Sequence, residues 1–283
     1  MKVVKNVLEM QKIALKLKLS CKTIGLIPTM GALHEGHLSL LTRSTLENDV
    51  SIVSIFVNPA QFGPGEDYLK YPRPFKKDQN FCKKNNADYL FAPSVKDMYA
   101  ESYLTYIKVE KLSEFYCGKF RPGHFRGVTT VVAKLFNISQ PNNTYFGEKD
   151  FQQLAIIKKM VNDLNFPVNI ISCPTIRETD GLAKSSRNVY LNHNERKDAN
   201  KIHLILKKTA NKIQTKQITF AAKAVKFMKI SLLKIPKMSV QYAEICDPFT
   251  LCSMKKNIKL PARILFAGLL GKTRLIDNIE IRK

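Results

Sequence analysis

Two histidines three residues apart, His34 and His37, are the side chains whose spacing first suggests chemistry. They lie in the stretch TIGLIPTMGALHEGHLSLL, residues 23–41. Residues 23–27 form a short apolar, β-branched run that predicts a buried strand. Pro28 and Gly31 break it into a tight turn. From Glu35 the apolar spacing becomes helical, with Leu38, Leu41 and Leu46 expected on one face. A strand, a glycine turn and a helix start present backbone N–H groups and a partial positive charge, which suits a phosphate. Gly36 between the imidazoles is expected to let a ligand approach the backbone. The stretch matches neither G-x-G-x-x-G nor G-K-[ST], so neither dinucleotide binding nor a P-loop is indicated. The same two histidines also fit a solvent face or part of a metal site. Zinc would need further ligands, and no Cys-x-x-Cys or third nearby histidine is available.

Three further loops carry chemistry-bearing groups. The apolar run VSIVSIFV, residues 50–57, reads as a parallel strand covered on both faces. The loop after it, residues 58–73, is stiffened by Pro59, Gly63, Pro64 and Gly65 and stands where open α/β sheets bind ligands. Asn58 and Gln61 there suit a hydroxy acid, or are incidental loop amides. A strand at 144–146 ends in GEKD, with Asp150 as N-cap of the helix FQQLAIIKKMVNDL. That puts Lys149 at a second phosphate-type helix start and Gln153 one turn beyond; a solvated lysine is the plain alternative. Finally, the loop at 175–191 carries Arg177, Asp180, Lys184, Ser185, Ser186 and Arg187, the donor set of a polyphosphate site or of an exposed charged linker. His124, in the basic turn RPGHFRG, fits a ligand contact, a surface or an interface equally.

These loops need a framework. A first helix is expected over 5–19, with Val7, Leu8, Ile13, Leu15 and Leu19 apolar. Further helices are expected over 75–86 and 111–115 and after residue 127, where Val128, Val131, Val132, Leu135 and Phe136 share a side. Strands are expected over 88–92, 103–109 and 168–173. Beyond about residue 190 the character changes: two lysine-rich amphipathic helices, 195–213 and 219–233, precede strands at 240–245, 264–270 and 275–281. The expected architecture is α/β: a domain over 1–175 built on a parallel sheet, then a smaller α+β domain over 176–283. The serine–arginine loop falls at the junction, and clefts between domains commonly take substrates.

Composition narrows the class. With 283 residues, 45% of them hydrophobic, there is ample material for a core. The net charge of +23 raises nucleic-acid binding as a rival class. The lysines are spread along the chain rather than gathered into a tail or an aromatic-interleaved patch. They read as a solvated surface, with part of the excess serving a basic nucleotide cleft. No partner nucleic acid or membrane is expected. The six cysteines, Cys21, Cys82, Cys117, Cys173, Cys246 and Cys252, show no paired spacing, which fits a reducing cytoplasm. No apolar run reaches the length of a membrane span, and the first residues hold no targeting core.

Taken in order, PTMGALHEGH, SIFVNPAQFGPGEDYLKYPR, RPGHFRGV, YFGEKDFQQL, DGLAKSSRNVYL and TRLIDN closely resemble the pantothenate synthetase (pantoate–β-alanine ligase) family over nearly the whole chain. The resemblance implies a Rossmann-like nucleotidyltransferase domain, a C-terminal lid domain and a cytoplasmic homodimer. It implies Mg²⁺·ATP, (R)-pantoate and β-alanine as substrates, joined through a pantoyl adenylate with release of pyrophosphate and AMP. Residue by residue, it implies that Met30, Gly31, His34, Gly36 and His37 line the ATP site, with His37 the proton donor. It implies ATP contacts from Gly147, Glu148, Lys149 and Asp150 and from Lys184, Ser185, Ser186 and Arg187, with Ile176 against the adenine. Gln61 and Gln153 would bind pantoate, Gln61 also lying near β-alanine. Lys184 departs from the hydrophobic residue that many members carry there. The nearest rival is another H-x-G-H nucleotidyltransferase, which needs no amine acceptor.

Overall fold

The computed structural model describes residues 1–282; Lys283, the last residue of the expected second domain, lies outside the described residues. The chain divides into two compact units. The first comprises Met1–Glu114, Arg121–Glu148 and Ile156–Pro174, and the second Phe115–Phe120, Lys149–Ala155 and Thr175–Lys283.

The first unit is built on six strands, β1 (Lys2–Val4), β2 (Ile24–Thr29), β3 (Val50–Ile55), β4 (Tyr89–Phe91), β5 (Asn143–Gly147) and β6 (Asn169–Cys173). They form one sheet in the order β1-β4-β3-β2-β5-β6, and every pairing is parallel. Connecting them are α1 (Val7–Leu19), α2 (Glu35–Glu47), α3 (Phe75–Lys84), the short α4 (Val95–Met98), α5 (Tyr116–Phe120, in the second unit), α6 (His124–Ser139) and α7 (Phe151–Asp163). The order has one reversal: after β2 the chain winds outward through β3 and β4, then returns to place β5 on the other side of β2. Ligands in such sheets bind beyond the carboxyl ends of the strands at that reversal. The turns after β2, β3 and β5 therefore leave from the functional edge.

The apolar runs specify the central strands. The first five residues of β3 are buried, as are the first four of β2, because helices cover both faces. The phase of α2 differs from expectation. In α2 the buried residues are Leu40, Leu41 and Ser44, while Leu46 faces solvent. In α1 they are Met10 and Ala14, with Leu8, Leu15 and Leu19 exposed. Ser44 is inward, its hydroxyl pairing with that of Ser51 at 2.7 Å, and Gly25 of β2 makes room for it, since a Cβ there would collide with the Ser44 hydroxyl. Residues 103–109, expected as a strand, join no ladder; Ile107 instead exchanges hydrogen bonds with the hydroxyls of Thr129 and Thr130 on α6. Residues 111–115 form turns rather than a helix.

The second unit carries the antiparallel sheet of β7 (Met238–Cys246), β8 (Ala262–Leu270) and β9 (Thr273–Ile281) in the order β7-β8-β9. Its long helices are α8 (His193–Gln214) and α9 (Ala221–Leu233). Their buried stripes, including Ile202, Leu206, Met228 and Leu232, pack with Ile264 and Phe266 of the central strand into one core. The lysines of both helices occupy the opposite, solvated sides, as amphipathic helices require. Among the described residues no helix is long and apolar enough to cross a membrane.

Candidate active site

The turn after β2 is set by two left-handed residues, Gly31 at φ +83° and Ala32 at φ +52°. Consecutive N–H groups in such a turn converge on one acceptor. Here that acceptor is Asp78 of α3, which takes the N–H of Ala32 at 2.8 Å and of Leu33 at 2.9 Å. Asp78 is buried, and burial pushes its carboxyl above the usual carboxylate range while the two N–H bonds pull the other way. A side chain at Gly31 would meet this carboxylate at 2.9 Å, so glycine is required both by φ and by space.

The two imidazoles form the first turn of α2. His34 is its N-cap, and its Nδ1 accepts the N–H of Gly36 at 3.1 Å. His37 reaches back so that its Nδ1 accepts the N–H of His34 at 3.3 Å. An imidazole whose Nδ1 accepts carries its proton on Nε2. Both rings are thus held as Nε2–H donors by the backbone of the helix they begin, with ring centroids 4.2 Å apart. Gly36 also makes room for the imidazole: a Cβ would lie 2.8 Å from Cε1 of His34.

The turn after β3 is a 3-10 turn, Pro59–Gln61, capped by Asn58, whose Oδ1 accepts the N–H of Ala60. The Asn58 amide hydrogens go to Gln61 Oε1 at 3.1 Å and to the Gly127 carbonyl at 3.0 Å. Asn58 therefore commits its amide inside the protein, orienting Gln61. Gln61 Nε2 in turn points at the Met30 sulfur, 3.0 Å away. This contact joins the loop after β3 to the histidine turn. The main chain of Gln61 is fixed from behind. Arg121 holds Glu66 through two charge-assisted bonds at 2.7 and 2.6 Å. Because a guanidinium only donates, its 3.1 Å contact makes His124 Nε2 an acceptor. The His124 Nδ1–H then donates to the Gln61 carbonyl at 2.8 Å. Burial raises the Glu66 carboxyl, but Arg121 outweighs it and holds the group below its usual range. Gly127 completes the fit, since a Cβ there would collide with the Ala60 carbonyl. His124 is thus buried in support of Gln61.

Lys149, Asp150 and the loop at 175–191 belong to the second unit. Glu148–Asp150 is a 3-10 turn, and Lys149 lies 3.7 Å from the Asp150 carboxylate. Gln153 is half-buried, whereas its neighbour Gln152 is committed to the backbone of Phe115 and Cys117. Residues 175–184 fold back on themselves. Lys184 N–H donates to the Ile176 carbonyl at 3.0 Å, and Arg177 bridges Ala183, so Ile176 and Lys184 are neighbours. Lys184 Nζ also sits 3.5 Å from Glu178. Ser185 caps the next 3-10 turn, Ser186–Tyr190, by accepting the Arg187 N–H. Arg177 grips the buried Asp277 of β9 with two 2.8 Å bonds. Burial alone would raise the Asp277 carboxyl, but His203 and Arg177 hold it below its usual range. Beside it, Asn278 donates to the Lys149 carbonyl at 3.0 Å.

Within the first unit the structure brings together Met30, Gly31, His34, Gly36, His37, Asn58 and Gln61, with Gly147 ending β5 on the same sheet edge. The second unit gathers Lys149 and Asp150, and separately Ile176 and Lys184 with Ser185, Ser186 and Arg187. Sequence reasoning missed Asp78, Glu66, Arg121, Asp277 and Asn278 as supports. Asp78 sits in a lysine-rich helix and reads as surface charge. The motifs GPGEDYLKYPR, RPGH and LIDN gave the signal for the others.

This geometry can be set beside known proteins. The family model described as pantoate–β-alanine ligase matches residues 2–280. A pantothenate synthetase of Endomicrobium trichonymphae is 52% identical over 283 residues, covering 100% of this chain and 99% of that one. The crystal structure of pantothenate synthetase from Thermus thermophilus superposes with a TM-score of 0.93 at 41% identity, covering 100% of both chains. The Francisella tularensis pantoate–β-alanine ligase, complexed with β-γ ATP and β-alanine, superposes with a TM-score of 0.81 at 38% identity, over 99% of this chain and 97% of that one. Matches of this length and depth leave one assignment: the chain belongs to the pantoate–β-alanine ligase family and is a ligase that condenses pantoate and β-alanine using ATP.

Proposed function

We propose that the condensation runs in two steps through a pantoyl adenylate. A pantoate carboxylate oxygen attacks the α-phosphorus of ATP in line, and pyrophosphate leaves. The uncharged amine of β-alanine then attacks the acyl carbon, its C–O bond to AMP breaks, and the amine sheds a proton as the amide forms. Charge builds on phosphate oxygens in the first step, so positioning and preorganised donors carry it. His34 and His37 would supply Nε2–H donors, with His37 giving up its proton to the leaving oxygen. Lys149 and Arg187 would supply positive charge and Ser185 a hydroxyl. Met30, Gly31 and Gly36, with Gly147, Glu148, Asp150, Lys184 and Ser186, would line the nucleotide, and Ile176 would meet the adenine. Gln61 and Gln153 would hold pantoate, with Asn58 fixing Gln61. ATP enters as its Mg²⁺ complex, in which the cation offsets phosphate charge; a cation carried mainly by phosphates needs few protein ligands.

The observation that carries this reading is the contact of Gln61 with Met30. It sets an amide suited to a hydroxy acid against the turn bearing two Nε2–H donors, which is what carboxylate attack on a phosphate needs. All six cysteines are free thiols, which supports work in the cytoplasm. A homodimer is part of the same proposal, with the family resemblance as its support. The test is release of pyrophosphate and AMP with each substrate omitted in turn. ATP and pantoate without β-alanine should yield one equivalent of pyrophosphate per active site, and AMP should turn over only with β-alanine added. ATP consumption independent of pantoate would overturn the reading.

A further inference from the structure

We propose that Asn278 is a positioning residue for adenylate formation, acting through the Lys149 turn; the inference rests on the reading of Lys149 as a phosphate group. Segment Lys149–Ala155 belongs to the second unit although it continues directly from the sheet of the first. Two contacts tie this turn to the strands of the antiparallel sheet. The Asn278 amide donates to the Lys149 carbonyl at 3.0 Å. The Arg263 guanidinium lies 3.9 Å above the Phe151 ring, close enough for a strong cation–π contact.

The two contacts form one assembly. Arg263 Nε donates to Asn278 Oδ1 at 2.9 Å, so it orients the amide and leaves Nδ2 toward Lys149. Asp277 Oδ1 accepts the Asn278 N–H at 2.7 Å while its two oxygens bind Arg177. Asp277, Asn278 and Arg263 are all buried, at 5%, 5% and 4% exposure, so the assembly is held rigidly by packing. A flexible lysine loses considerable side-chain entropy when it meets a ligand. Fixing its carbonyl at the mouth of a helix removes the main-chain part of that freedom.

Asn278→Asp tests this. The carboxylate keeps an acceptor for Arg263 and replaces the donor to Lys149 with an oxygen that repels its carbonyl. A misplaced turn of this kind should slow single-turnover pyrophosphate formation about tenfold, within the range for misplacing a catalytic group by part of an ångström. The same substitution in a Lys149→Ala background should slow it further by less than about twofold, because the two residues act in series. Equal losses in both backgrounds, or no loss in the parent, would overturn the proposal. If Lys149→Ala alone leaves pyrophosphate formation unchanged, the role of Lys149 falls, and with it the role of Asn278. If Lys149→Ala slows the step and Asn278→Asp adds in full, only the positioning role falls. Asn278→Ala, which removes the amide without adding charge, supplies the same comparison should Asn278→Asp fail to fold.

Discussion

Replacing Gly36 by alanine isolates the imidazole geometry from the stability of the fold. A Cβ at this position would stand 2.8 Å from Cε1 and 2.9 Å from Nδ1 of His34. Ordinary contact begins near 3.4 Å, so the ring must retreat by roughly half an ångström to one ångström, and its 3.1 Å acceptance of the Gly36 N–H is lost or bent. Alanine in a helix gains about 1 kcal/mol over glycine. Loss of one partly exposed hydrogen bond costs about the same. The two terms nearly cancel, so the melting temperature should move by no more than a few degrees. Catalysis does not share that cancellation. Displacing a donor aimed at a phosphate by up to one ångström costs on the order of 10²-fold in rate. Rapid-quench measurement of pyrophosphate formation, with calorimetric melting of the same sample, reads both numbers. A rate within about threefold of the parent at unchanged stability would refute the view that the His34 ring position matters, given the far larger loss expected. A large drop in melting temperature would refute the cancellation.

Two further outcomes follow from the same geometry. Gln61→Ala should weaken pantoate binding far more than ATP binding in calorimetric titration, since Gln61 faces the Met30 turn with its amide; equal losses would remove its assigned role. Asp49, which ties the start of β2 to that of β3 by accepting the Thr23 N–H and hydroxyl and pairing with Lys22, has its carboxyl held down from 3.8 to about 2, first by the Thr23 bonds. A depressed carboxyl stabilises the fold fully above its ordinary range and progressively less as pH falls toward about 2. Parent and Asp49→Asn should therefore differ most at neutral pH and converge in acid. An Asp49 titration midpoint near the ordinary value of about 4 by NMR would contradict the assignment.

How far the sequence speaks depends on the range of the interaction. The runs at 24–29 and 50–55 are legible as strands because burial on both faces leaves a continuous apolar signature. Lys2–Val4 is not, since three residues opening on a lysine carry no period, and its strand character comes from pairing with Tyr89–Phe91. Helix phase goes astray in α2, where Leu46 faces solvent and Ser44 faces inward. Residues 103–109 alternate like a strand, yet their polar partners are the hydroxyls of a helix. At the candidate site, glycine turns and clustered donors are local and therefore readable. The supports are not: Asp78 meets its turn across 45 and 46 residues, Arg121 meets Glu66 across 55, and Asn278 meets Lys149 across 129. Gly36 shows the limit within a motif: its place is legible, but the room it leaves for the imidazole two residues back is seen only in the fold.

Catalysis as proposed requires Lys149 to bring positive charge to the phosphates as pyrophosphate leaves. Single-turnover formation of pantoyl adenylate by Lys149→Ala measures this directly. Loss of one charge-stabilising donor predicts a rate lower by roughly 10²–10³, with the attack of β-alanine on supplied adenylate far less affected. An unchanged first step in a correctly folded variant would contradict it.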